Sequence, residues 1–137
     1  MVIDTSAIIA ILLAEPEAPA FARAIARDPK RLMSAVSALE AGLVIQARKG
    51  PTGVRELDLL THSSGMVVVS FDTEQVTLAR SAYERLGKGR HPAGLNFGDC
   101  CTYALARSTG EPVLFKGADF SKTDLLPALS AEDMASS

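Results

Sequence analysis

The sequence predicts an α/β domain built on a mostly parallel central sheet. Three observations predict it. Short apolar runs, β-branched in places, recur at 1–3, 31–34, 66–70 and 112–115. Between them lie longer stretches patterned as helices. The connections are long enough for helical crossovers, which join parallel strands, rather than for hairpins.

Met1-Val2-Ile3 reads as a short buried strand. Asp4 follows without a break, then Thr5 and Ser6, then an apolar run from Ala7 to Ala14 that reads as a buried helix. Glu15-Pro16-Glu17 interrupts it. Ala18 to Arg27 is predicted helical, with Pro19 tolerated in the first turn. Phe21 and Ile25 share one face of that helix, and Arg23 and Arg27 share another. Asp28-Pro29 ends it, and residues 31–34 are a candidate strand. Ser37 and Glu40 match a capping box opening a helix to about Lys49. Gly50-Pro51 stops that helix, and Thr52 to Ser64 forms the next.

Residues 66–70 are the most strand-like stretch in the chain, with three consecutive valines. Asp72 caps a long helix from Thr73 to Leu86. A glycine-rich loop occupies 87–98 and carries Lys88, Arg90 and His91. Asp99 opens a helix to about Ser108, and Thr109-Gly110 ends it. Residues 112–115 form another strand, residues 116–120 a turn, and residues 124–126 a candidate last edge strand. The tail from 130 to 137 is small and polar and is predicted to fray. With no repeat or linker, residues 1–137 read as one domain.

Composition narrows the function classes. Apolar residues at 47% and charged residues at 22% describe a soluble globular chain. No apolar run reaches the roughly 18 residues of a membrane span, and no basic region precedes the first apolar stretch as in a signal peptide. Cys100 and Cys101 are adjacent, so they make no disulfide framework, and no Cys/His spacing resembles a zinc site. The composition is cytoplasmic. Net charge is −2, but distribution matters more than the sum. With four of the 16 acids gathered in one site, the remaining 12 face 14 Lys and Arg. A polyanion can approach such a surface once a cation fills the acidic pocket.

Those four acids share a local grammar. Asp4 ends a strand, Glu40 lies early in a helix just past a strand, Asp99 opens a helix, and Asp119 follows a strand and a glycine. In a parallel sheet, strand ends and following helix starts lie on one edge, where ligands bind. Each acid also has a bland reading. Asp4 and Asp99 are good N-caps, Glu40 completes a capping box, and Asp119 suits a turn. Converging carboxylates repel, and oxygen ligands without Cys or His favour a hard cation, Mg²⁺ or Mn²⁺. The chemistry that follows is metal-assisted phosphodiester hydrolysis. His62 and His91 are isolated, Cys100 reads as a packing residue, and there is no Walker loop.

With Asp4-Thr5-Ser6, Glu40, residues 96–99 (Asn-Phe-Gly-Asp) and residues 115–120 (Phe-Lys-Gly-Ala-Asp-Phe) in hand, the chain resembles a PIN-domain protein of the VapC type, the toxin of a type II toxin–antitoxin pair. The likeness covers essentially the whole chain. Each motif alone is common; the ordered set is specific. The resemblance implies a three-layer α/β/α fold and a Mg²⁺- or Mn²⁺-dependent endoribonuclease that cuts structured RNA. It also implies a cognate antitoxin, a homodimer and a larger toxin–antitoxin assembly.

Carried onto this sequence, the resemblance makes Asp4 and Asp99 the principal metal ligands. Glu40 holds a metal-bound water or a second metal, and Asp119 completes the ring. Thr5, Ser6 and Ser37 orient waters or carboxylates. The family often has an acid two positions before Asp119, where this chain has Gly117, which leaves Asp119 or Asp124 to supply the fourth acid. Lys88, Arg90, Arg23 and Arg27 are candidate RNA phosphate contacts.

Two apolar helices at the start, one with Ile8, Ile9, Ile11, Leu12 and Leu13 and one with Phe21 and Ile25, suggest an exposed groove for an antitoxin helix. The alternatives are a haloacid-dehalogenase-like phosphatase using Asp4, although Ser6 stands where its second Asp is usual, and a non-catalytic α/β binding module whose acids are only caps.

Overall fold

The computed structural model describes residues 1–130, 133 and 134. Four strands, β1 (Val2–Ile3), β2 (Leu32–Ser34), β3 (Val67–Val69) and β4 (Val113–Leu114), form one sheet in the order β3-β2-β1-β4, and every pairing is parallel. Five helices connect them: α1 (Thr5–Leu12), α2 (Ala18–Arg27), α3 (Ala35–Ser63), α4 (Thr73–Leu86) and α5 (Phe97–Thr109). No described helix is long and apolar enough to cross a membrane.

Strand alternation sorts the core into two faces. Ile3, Met33 and Leu114 point to one side and pack with Ile8, Phe21, Ile25, Ala41 and Leu57 from α1, α2 and α3. Val2, Leu32 and Val113 point to the other and pack with Ala82, Leu86, Tyr103 and Leu105 from α4 and α5. The result is three layers, α/β/α, with β1 inside. The order reverses between β1 and β4, so the carboxyl edge at Asp4 is the switch point where such sheets bind ligands.

Local chemistry explains most boundaries. Asp72 Oδ1 accepts from Gln75 N at 2.9 Å and starts α4 where its sequence predicts. Gly50 adopts φ 63°, ψ −156°, which breaks α3 into two arms just before Pro51. Arg31 donates to the carbonyls of Ile25, Ala26 and Ser64, tying the ends of α2 and α3 together.

Three expectations are corrected. The helix after β2 starts at Ala35, because Ser34 Oγ accepts from Val36 N at 3.2 Å; the predicted capping box of Ser37 and Glu40 does not form. The valine-rich stretch is a strand as expected, β3, at the edge of the sheet with Val67 and Val68 exposed. Residues 124–126 are not a strand; Leu126 O and Ala128 N instead bracket Val113 in a single parallel bridge centred on Pro127.

The third concerns the apolar groove. Ile8, Phe21 and Ile25 are 0%, 1% and 3% exposed, so the apolar faces of α1 and α2 are largely spent on the sheet, and only half-buried Ile9, Ile11, Leu12 and Leu13 remain. Of the tail predicted to fray, residues 131, 132 and 135–137 lie outside the described residues. Ser130 donates to Asp133 Oδ2 from both its amide and its hydroxyl, and Met134 packs against the core.

Candidate active site

Asp4 leaves the sheet at the carboxyl end of β1 and is 5% exposed. A buried carboxylate needs donors. Ser6 N (3.1 Å) and Ser6 Oγ (2.7 Å) donate to one oxygen, and Thr102 Oγ1 (2.6 Å) donates to the other. Asp4 is therefore the N-cap of α1 as well as a candidate ligand, and the two readings hold together. Ser6 in turn accepts from Lys116 N at 2.9 Å, which couples the turn after β4 to Asp4. Ser37 Oγ lies 3.3 Å from Thr102 Oγ1, and Thr5 Oγ1 donates to Ser37 O at 3.3 Å. The three predicted hydroxyl residues thus form one network around Asp4.

Asp99 does not open α5; Asn96 does. Asn96 Oδ1 accepts from Asp99 N (2.9 Å) while Asp99 Oδ2 accepts from Asn96 N (3.1 Å), a complete capping box. Burial pushes the Asp99 carboxyl up to about 7, and the negative charges of Asp4 and Asp119 add to the rise against the Asn96 amide. Three acids from β1, α5 and the turn after β4 therefore act on one another. Glu40 comes from the second turn of α3 and lays its carboxylate against Gly98, beside the N-terminus of α5, where a helix favours negative charge. Its charge also helps hold the Cys101 thiol up at about 11, after burial. Cys100 is raised to about 11, chiefly by burial, so both thiols stay protonated near neutral pH.

Asp124 stands elsewhere. It accepts from Tyr103 Oη at 2.7 Å and pairs with Arg107 at 3.4 Å. The turn that presents Asp119 contains Gly117 at φ 100°, a conformation that disfavours the acid usual there. Lys116, in the same turn, pairs with Glu15 and Glu17.

Among the described residues, no three His, Cys, Asp or Glu side chains stand close enough to hold an ion without moving. The donor set nevertheless fits a hard divalent cation. It is all oxygen, it crowds negative charge onto one sheet edge, and it holds Asp99 at a pKa that a cation would lower.

The basic residues divide. Lys88 and Arg90 line a cleft of about 980 Å³ between α4 and α5, alongside Asn96 and Phe97 of the turn that holds Asp99. Arg27 lies beside Met1 and Asp28 at the opposite, amino edge of the sheet, and its Nε donates to Arg23 O. The geometry therefore gives no support to RNA contacts from Arg23 and Arg27. His91 Nδ1 accepts from Ala93 N within its own loop. Sequence reasoning missed Thr102, whose signal was its place three residues after Asp99 on the same helix face. It also missed Asn96 as the cap, and Arg80 and Phe97 in the cleft.

The model of the PIN domain family matches residues 1–126. A protein named ribonuclease VapC from Mycolicibacterium smegmatis is 54% identical over 125 residues, covering 91% of this chain and 97% of that protein. Ribonuclease VapC30 of Mycobacterium tuberculosis is 53% identical over the same span, covering 91% and 95%. Among solved structures, Mycobacterium tuberculosis VapC20, described as a sarcin–ricin loop cleaving toxin, superposes with a TM-score of 0.73 over 91% of this chain and 95% of that one. At 19% identity, that likeness speaks to the fold.

Proposed function

The chain belongs to the PIN-domain family, and from that premise we propose that it is a VapC-type toxin, a Mg²⁺- or Mn²⁺-dependent endoribonuclease held inactive in the cytoplasm by a cognate antitoxin. The whole chain acts as one domain, and toxin copies pair into a homodimer within a larger toxin–antitoxin assembly. The observation that carries the nuclease reading is the coupling of Asp99 to Asp4 and Asp119 across three separate elements. Caps have no reason to meet. A binding module has no need of a carboxyl that burial, with two further acids beside it, holds up at about 7. The haloacid-dehalogenase reading fails at Ser6, which is occupied in donating to Asp4 where a second acid is needed.

Asp4, Asp99 and Asp119 would hold the cation, with Glu40 at its margin. A bound divalent ion there supplies charge neutralisation on a phosphate and activation of water. The chain's own residues do the rest. Ser6 and Thr102 fix the Asp4 carboxylate in one rotamer, so no reorganisation is needed when substrate arrives. The Asn96 amide holds one Asp99 oxygen. Glu40, across Gly98, would take a proton from the attacking water at a carboxylate oxygen.

Cleavage of a labelled total-RNA sample with Mg²⁺, with Mn²⁺ and with excess chelator tests this reading. Undiminished cleavage in chelator would remove the metal. Native mass spectrometry of the gently purified protein tests the antitoxin, which should co-purify as a smaller chain.

A further inference from the structure

The turn after β4 carries Asp119, and its own chain holds it weakly. Residues 116–119 are all exposed, and Gly117 gives them a left-handed joint at φ 100°. The Phe115 and Phe120 rings, 5.3 Å apart between centroids, close its two ends. In between, the turn is tied down at Lys116. The Lys116 amide donates to Ser6 Oγ at 2.9 Å, and Ser6 Oγ donates on to Asp4. The Lys116 ammonium pairs with Glu15, and with Glu17 at 3.2 Å. Both carboxylates are half-buried and lie on the connection between α1 and α2, which is itself firmly held. Glu15 N donates to Ala10 O at 2.9 Å, Ala18 N to Glu15 O at 2.9 Å and Phe21 N to Glu17 O at 3.0 Å, with Pro16 fixing the backbone between the two acids. Ala14 enters that connection at φ 52°, the one positive φ outside glycine among the described residues. An alanine is strained there where a glycine is not, and such strain persists only where the surroundings enforce it. Side chains this open to solvent gain little stability by pairing, so breaking the pair loosens the turn without unfolding the domain.

Resting on the nuclease reading above, we propose that Lys116 is a positioning residue. Clasped by Glu15 and Glu17, it holds residues 116–119 so that Ser6 stays on Asp4 and Asp119 stays beside Asp99. A lysine next to such a site otherwise reads as a phosphate contact. Two observations favour the clasp. The ammonium is already taken by two carboxylates, and the amide of the same residue reaches Asp4 through a single hydroxyl. The clasp also keeps a positive charge off Asp119, where a loose ammonium would compete with the cation for the carboxylate.

The test compares the full chain, isotope-labelled and in EDTA, with Lys116→Met, Lys116→Arg and the double variant Glu15→Gln/Glu17→Gln. Solvent exchange of the amides at positions 116, 118 and 119 is read by NMR. It should quicken about threefold or more in Lys116→Met and in the double variant, return to the wild-type rate in Lys116→Arg, and stay unchanged in β1. With Mg²⁺ and RNA, the two loosened chains should lose about tenfold or more in kcat while KM hardly moves, because misplacing a group costs rate rather than binding. The EPR signal of free Mn²⁺ should rise in both, as the ion is held less tightly. A phosphate contact gives the opposite split: Lys116→Met raises KM, and the double variant, which frees the ammonium, does not. That split, or wild-type exchange in both loosened chains, overturns the clasp. A wild type that cleaves beside variants that cleave equally well removes the clasp and leaves the nuclease. The exchange and Mn²⁺ pattern without cleavage by any of the chains keeps the clasp and removes the nuclease.

Discussion

The Glu40 carboxylate lies on the Cα of Gly98, so that a methyl group at position 98 would stand 2.8 Å from both of its oxygens. Gly98 is helical, so the requirement there is for space and not for an unusual φ. The obstructing atoms are the far end of a flexible side chain, which yields easily. Gly98→Ala should therefore leave thermal stability unchanged or slightly raised, since Ala is the better helix former. It should displace Glu40 and lower RNA cleavage tenfold or more. Circular dichroism melts beside cleavage rates check the pair, and full cleavage in the folded variant would show that Glu40's position is immaterial.

Asp4 and Asp99 answer differently to the same neutralisation. Both Asn variants should lose metal-dependent cleavage by orders of magnitude. Asp99→Asn removes a charge that burial, Asp4 and Asp119 all oppose, so the folded state should gain stability at pH 8. Asp4→Asn turns an NH₂ toward at least one of the three donors now satisfied by the carboxylate, at a cost of about 1–3 kcal/mol. Urea midpoints for the two variants should move in opposite directions.

What could be read from the sequence was what depends on neighbours in the chain. The helix Ala18–Arg27 and the helix Thr73–Leu86 were legible to the residue because Pro19 and Asp72 act within a turn. That Asp4, Glu40, Asp99 and Asp119 would share one edge was expected from topology, and of these the structure couples Asp99 electrostatically to Asp4 and Asp119. Three things were decided at a distance. Ser34 and Ser37 are equally good caps, and pairing of β2 with β1 and β3 carries the strand to Ser34. Asp119 and Asp124 both follow β4, and Tyr103 and Arg107 of α5 claim Asp124. Phe21 looked available to a partner because a sequence does not say which apolar face its own sheet covers. Phe21→Ser, at 1% exposure, would cost stability as a core truncation does, about 3–5 kcal/mol, and could not isolate a binding defect.

The raised carboxyl of Asp99 predicts a pH dependence of stability. Its folded value of about 7 lies above the ordinary 3.8 of the unfolded chain. Below about 3.8 both states hold the proton, and the contribution to stability is fully present. As pH rises toward 7 the unfolded chain has released the proton while the folded one retains it, so stability falls; above 7 the loss is complete. In chelator, the urea midpoint should drop between pH 5 and pH 8, and Asp99→Asn should flatten that drop. Adding Mg²⁺ at pH 8 should restore the midpoint in the wild type only. A wild-type profile identical to that of Asp99→Asn would show that the carboxyl is not perturbed.

Thr102 separates orientation of the site from its charge. Its hydroxyl is fully buried, donates to Asp4 Oδ1 at 2.6 Å and meets Ser37 Oγ at 3.3 Å. Thr102→Val keeps the shape but leaves one Asp4 oxygen without its donor. A hydrogen bond to a charged group contributes about 1.5–3 kcal/mol, so a stability loss of that order should follow. Asp4 keeps its charge and its two bonds from Ser6, so metal affinity should change little. The carboxylate is free to rotate, however, and cleavage should fall by more than affinity does. Thr102→Ser restores the donor at the cost of one methyl group and should recover most of the rate. Titrating Mg²⁺ against cleavage in the three proteins distinguishes a lower maximal rate from a weaker ion. A Val variant with a wild-type rate at saturating Mg²⁺ would mean that Ser6 alone is enough to hold Asp4.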